Sequence, residues 1–90
     1  MRIKKGFVLR DVYDKYAIVG EGLDAMNFGK IIPLNESAVV LWKQAEELGE
    51  FNVEQLATRL CEEYDVTMDE ARQDVAKVLS GWQSIGIISE

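Results

Sequence analysis

Ile31-Ile32-Pro33-Leu34-Asn35-Glu36-Ser37-Ala38-Val39-Val40-Leu41-Trp42 carries the chain from strand to helix. With Lys30 before them, Ile31 to Leu34 form a short apolar run that follows a loop containing glycine and asparagine, as a strand does. Pro33 has no backbone N–H, so this strand belongs at a sheet edge and not in its middle. Asn35 is a natural helix N-cap, and Glu36 puts a carboxylate in the first turn, where the helix dipole favours an anion. Ala38, Leu41, Trp42, Ala45 and Leu48 then recur at helical spacing up to Gly49, which stands where a left-handed terminator belongs.

Toward the N-terminus, Phe7-Val8-Leu9-Arg10 and Tyr16-Ala17-Ile18-Val19 read as two strands joined across Tyr13-Asp14-Lys15. Toward the C-terminus the punctuation is helical. Asn52 and Gln55 have the spacing of a capping box, with Phe51 and Leu56 placed as its hydrophobic staple. The stripe Leu56, Ala57, Leu60, Cys61 and Tyr64 follows. Thr67-Met68-Asp69-Glu70 opens a third helix as another capping box, with Ala71, Val75, Val78, Leu79 and Trp82 facing inward. Gly86 ends it and lets Ile87 fold back toward Trp82. Gly81 inside this helix costs about 1 kcal/mol relative to alanine; tight helix packing and close approach by a partner's backbone both account for it. Three strands before three helices make an α+β fold with a short antiparallel sheet, in one domain over residues 1–90.

The composition narrows the chemistry. Apolar residues make up 48% of the 90 and charged residues 29%, which supports a packed core. No apolar run is long enough to cross a bilayer, and the basic start Met1-Arg2-Ile3-Lys4-Lys5-Gly6 lacks the apolar stretch of a secretory signal, so a cytoplasmic location is expected. There is no histidine, which removes the usual general base and the commonest metal ligand. One cysteine, Cys61, allows neither an internal disulfide nor a thiolate zinc site, and on its apolar stripe it reads as a core residue. Gly20-Glu21-Gly22 lacks the further glycine and the lysine of a phosphate loop. No catalysis, no cofactor and no bound metal are expected.

Charge separates the binding classes. The net charge is −6, the wrong sign for phosphate contacts. The third helix carries Asp69, Glu70 and Asp74 against Arg72 and Lys77, a net −1 on the element that would enter a DNA groove. Duplex DNA is therefore expected to bind more weakly than about 10⁻⁴ M at physiological salt. Two alternatives remain open at this level: a winged-helix DNA-binding regulator, and a module that pairs with a copy of itself as a weak homodimer. The edge at Ile31 to Leu34 invites an added strand, because unpaired N–H and C=O groups give affinity and side-chain pockets give specificity. Ile31 and Pro33 share one face of that strand and Ile32 and Leu34 the other.

Residues 32–88 resemble the PqqD family. Ile32-Pro33-Leu34-Asn35-Glu36-Ser37-Ala38-Val39-Val40-Leu41-Trp42 is similar to its apolar strand running into Leu-Asn, then Ser/Thr-Ala and an apolar helix. Leu56-Ala57-Thr58-Arg59-Leu60-Cys61-Glu62-Glu63-Tyr64-Asp65-Val66 is similar to its second helix, Asp74-Val75-Ala76-Lys77-Val78-Leu79 to its Asp-Val-x-x-Phe-Leu element, and Gly86-Ile87-Ile88 to its close. The resemblance implies a winged-helix-like peptide recognition element that binds the leader of a ribosomally made precursor peptide and presents it to a radical S-adenosylmethionine enzyme. In the name-giving case the product is pyrroloquinoline quinone. It further implies that the leader adds as a strand along Ile31, Ile32 and Leu34, which supply main-chain bonds. Side chains would enter the groove against the third helix, where Asp74 belongs to the family element, Val75, Val78 and Trp82 lie between core and groove wall, and Lys77 is placed to meet an acidic leader residue. Three features depart from the family pattern. Val78 stands where a larger residue is usual, Pro33 removes a donor from the docking strand, and the loop over residues 20–29 is longer than the corresponding turn of the quinone-pathway members.

Overall fold

The computed structural model describes residues 1–12, 14–21 and 31–89. Tyr13, Lys30 and the greater part of the long loop lie outside the described residues. In chain order the elements are β1 (Arg2–Ile3), β2 (Phe7–Val12), β3 (Lys15–Gly20), β4 (Ile31–Leu34), α1 (Glu36–Leu48), α2 (Val53–Glu63), α3 (Met68–Ile85) and β5 (Ile88–Ser89). The α+β order of three antiparallel strands followed by three helices is the expected one.

β2 and β3 pair antiparallel from Phe7 opposite Gly20 to Val12 opposite Lys15. Both strands extend beyond their apolar runs, because ladder bonds continue through Asp11 and Lys15 irrespective of side-chain polarity. The connection is therefore shorter than the three residues expected, and Asp14 within it has φ 67°, a conformation aspartate tolerates in tight turns. Among the described residues β4 pairs with β3 alone, in the order β2-β3-β4, so the strand with Pro33 is an edge there, as the proline requires. Its exposure alternates: Ile31 and Pro33 are exposed, Ile32 and Leu34 half-buried.

The helices begin where their caps lie. Asn35 accepts from the Ala38 N–H at 2.9 Å. Asn52 and Gln55 form both halves of their box, at 2.8 and 3.0 Å. At α3 only one half is made among the described residues: Thr67 Oγ accepts from the Glu70 N–H at 3.2 Å, and Glu70 does not reach back. α3 ends in a Schellman motif. The Ile87 N–H reaches the Trp82 carbonyl at 3.1 Å and the Gly86 N–H the Gln83 carbonyl at 3.1 Å, with Gly86 at φ 94°.

The core gathers Ile18 of the sheet, Leu41, Trp42 and Ala45 of α1, Leu56 and Leu60 of α2, and Val75, Leu79 and Trp82 of α3. Trp42 is fully buried and meets Trp82 edge to face, with centroids 5.3 Å apart and planes at 83°. Cys61 lies half-buried against Met68, at the core's margin. A second, two-stranded sheet of β1 and β5 was not expected. It joins Arg2 to Ser89 and Ile3 to Ile88 once the Schellman turn has aimed Ile87 back at the core. No helix among the described residues is long and apolar enough to cross a membrane.

Candidate functional site

Pro33 decides which main-chain groups β4 leaves open. In an antiparallel pair, opposed residues alternate between those that exchange both N–H···O=C bonds and those that exchange neither. Pro33 stands opposite Ala17 and has no N–H, so theirs is a non-exchanging pair. Alternation makes Tyr16–Leu34 and Ile18–Ile32 the exchanging pairs, and Val19–Ile31 non-exchanging. Ile32 and Leu34 thus direct their main-chain groups to β3. The Ile31 N–H and C=O and the Pro33 C=O face outward, which differs from an expectation that gave Ile32 and Leu34 outward bonds. The Ile31 N–H is the single donor that β4 presents at this edge.

Beside the edge runs an open groove of about 310 Å³ between β4 and α3. Ile32, Pro33 and Leu34 form one wall; Lys77, Val78, Gly81, Trp82 and Ile85 form the other, with Asn35 and Ala38 at the end where α1 begins. The α3 residues fall on one helix face because they recur at positions three, four and five apart. The groove gathers Ile32, Leu34, Lys77, Val78 and Trp82 from the expected set.

Three expected residues are placed otherwise. The Ile31 side chain, 64% exposed, projects from the opposite face of β4, so that residue contributes backbone to the site. Asp74 is exposed and lies outside the groove lining. Val75 has no exposed surface and belongs to the core, so it forms no part of the groove wall; the packing of α3 on the core turns Val75 inward and leaves Val78 half-buried at the rim. Conversely, Ile85 was not singled out in the sequence, although it lies on the row that runs from Val78 through Gly81 and is a large apolar residue left 41% exposed.

The groove is apolar except for Asn35 at one end and Lys77, its one charge, whose ammonium makes no ion pair with any described residue. Resolved charge pairs lie elsewhere. Arg10 grips Glu21 at 2.7 and 2.6 Å and its hydrogen bonds hold that carboxyl below its usual range. Arg72 joins α3 to α2 through Glu54 at 2.7 Å. Among the described residues, no three side chains of the histidine, cysteine or carboxylate kind converge as a metal-binding group. An unpaired strand edge beside an apolar trough suits an extended peptide whose backbone pairs with β4 while alternate side chains drop toward α3.

The family described as Coenzyme PQQ synthesis protein D (PqqD) matches residues 13–88. No curated protein matches the chain. Two solved structures share its fold. TbiB1 in complex with the TbiA(beta) leader peptide superposes with a TM-score of 0.79 over 100% of both chains at 17% identity. Lasso peptide synthetase B1 complexed with the leader peptide does so with a TM-score of 0.78, covering 99% of this chain and 96% of that one at 16% identity.

Proposed function

The chain belongs to the PqqD family, and from that premise we propose that it is a non-catalytic adaptor, acting as one peptide-binding domain over residues 1–90. It takes up the leader of a ribosomally made precursor as a strand added to β4 and presents it to a radical S-adenosylmethionine enzyme. The pathway is that of pyrroloquinoline quinone or of another modified peptide. The observation that carries this reading is the coincidence of a strand edge that no described residue pairs with and the groove formed by β4 and α3. The two solved structures described above are complexes with leader peptides, which supports the same reading.

In this reading Ile31 and the Pro33 carbonyl hold the leader's backbone, while Ile32, Leu34, Val78 and Trp82 receive its apolar side chains. Lys77 attracts an acidic leader residue near the rim, and Asp74 flanks the groove one turn away. The leader residue opposite Pro33 donates to a carbonyl but finds no donor for its own, so that site fixes the register.

The test is a fluorescence anisotropy titration with a labelled synthetic peptide spanning the leader of any short precursor frame found beside this gene. Saturable binding is expected, with an unlabelled leader competing and the precursor's modified core segment failing to compete. No binding, together with a sedimentation coefficient that rises with concentration, would assign the edge to self-association instead.

A further inference from the structure

Gly81 has no steric reason among the described residues. A Cβ built on it meets no atom within 4 Å, and its backbone is not in the left-handed region. Glycine is among the poorest residues for a helix interior, and here it stands within the 18 residues of α3, four positions before its end. Tight packing against the described residues, the internal one of the two accounts open from sequence, is thereby removed. Gly81 is exposed and lines the groove between Lys77 and Val78 on one side and Trp82 and Ile85 on the other.

We infer that Gly81 is a notch in α3 that lets one large apolar side chain of the docked leader lie against the helix backbone. The neighbours define the chemistry of that side chain. Val78 and Ile85 lie on the same row of α3, one turn to either side, and Ile32 and Leu34 come from the facing strand, so the surface is aliphatic. Lys77, the one charge in the lining, makes no ion pair with a described residue and lies a turn toward the N-terminus. A branched aliphatic or aromatic leader residue suits this place, and any side chain at position 81 would occupy the space it needs. Gly81 is then a specificity-determining position that admits bulk from the partner by carrying none itself.

This inference rests on the leader-binding reading, and the experiment separates their failures. Gly81→Ala and Gly81→Leu are compared with the unaltered chain for thermal stability and for anisotropy titration against the neighbouring-frame leader peptide and its single-alanine variants. Both substitutions are expected to raise the melting temperature, Gly81→Ala by about 4–8 °C. Gly81→Leu is expected to weaken binding by more than about 10-fold, because an overfilled site must displace its occupant or its wall. One alanine variant of the leader, at its large apolar anchor, should bind Gly81→Leu and the unaltered chain within about 2-fold of each other, since contact pairs are non-additive. If the unaltered chain binds the leader and Gly81→Leu binds it equally well, the notch is wrong and the leader-binding reading stands. If Gly81→Ala lowers the melting temperature, glycine serves internal packing and the notch is again wrong. If the unaltered chain binds no leader, both fail.

Discussion

Ile31→Pro is expected to cripple leader binding while leaving the fold intact. The Ile31 N–H faces away from β3, because Val19–Ile31 is a non-exchanging pair, so proline there removes no ladder bond. Two residues along, Pro33 already occupies the equivalent outward position without breaking the sheet. The exposed side chain contributes nothing to the core. What is lost is the one donor β4 offers at the edge, leaving a leader carbonyl unpaired. A group buried without its partner costs about 1–3 kcal/mol, which is about 5- to 150-fold in Kd. Ile31→Ala keeps the N–H and should bind within about 2-fold of the unaltered chain. Pro33→Ala works in the opposite sense, adding an outward donor at the register-fixing site, and should tighten binding by up to about 10-fold. Equal binding by the Ile31→Pro and Ile31→Ala variants, with unchanged circular dichroism, would mean that the edge backbone is not what holds the peptide.

The largest loss of stability is expected at Trp42. Its ring has no exposed surface and packs edge to face on Trp82, and truncating a buried tryptophan to alanine costs about 3–5 kcal/mol. A chain of this length has about 5–14 kcal/mol of stability in all, so Trp42→Ala should lower the melting temperature by more than about 12 °C. Trp42→Phe should cost much less. The Trp42 Nε1–H is buried without a hydrogen-bond partner among the described residues, and phenylalanine removes that desolvated donor while keeping most of the ring. Urea denaturation of both variants is the check. A Trp42→Phe loss as large as that of Trp42→Ala would show that the N–H is satisfied in solution.

The helices were legible because their signals are local. Asn35, Asn52 and Thr67 each bond a backbone N–H three residues on, and Gly86 takes the left-handed conformation that ends a helix, while Gly49, with φ 75° and ψ −73°, ends α1 outside that region. The edge position of β4 was legible for a similar reason: a missing N–H at Pro33 constrains the sheet wherever the strand goes. What required the tertiary structure was the division of α3 between core and groove. Val75 and Val78 lie on one apolar stripe, and only the seating of α3 against α2 and β4 buries the first and leaves the second at the rim. Gly81 and Ile85 extend the groove for the same reason; the glycine stood out in sequence only as an unexplained cost inside a helix, and an isoleucine at a helix end carries no signal of its own. The pairing of β1 with β5 escaped because two-residue strands are too short to show alternation, and their partners lie at opposite ends of the chain.

The central claim is that the leader docks as a strand on β4 with its side chains against α3. Nitrogen-15 amide spectra of the uniformly labelled chain, recorded as the leader peptide is added to saturation, test it most directly. The predicted result is that the Ile31 amide shifts furthest, as a new hydrogen bond forms on it. Smaller shifts should appear at Ile32, Leu34 and the α3 face from Lys77 to Ile85. Shifts confined to the acidic helix surfaces around Glu46 and Glu62, with the Ile31 amide unmoved, would contradict strand addition.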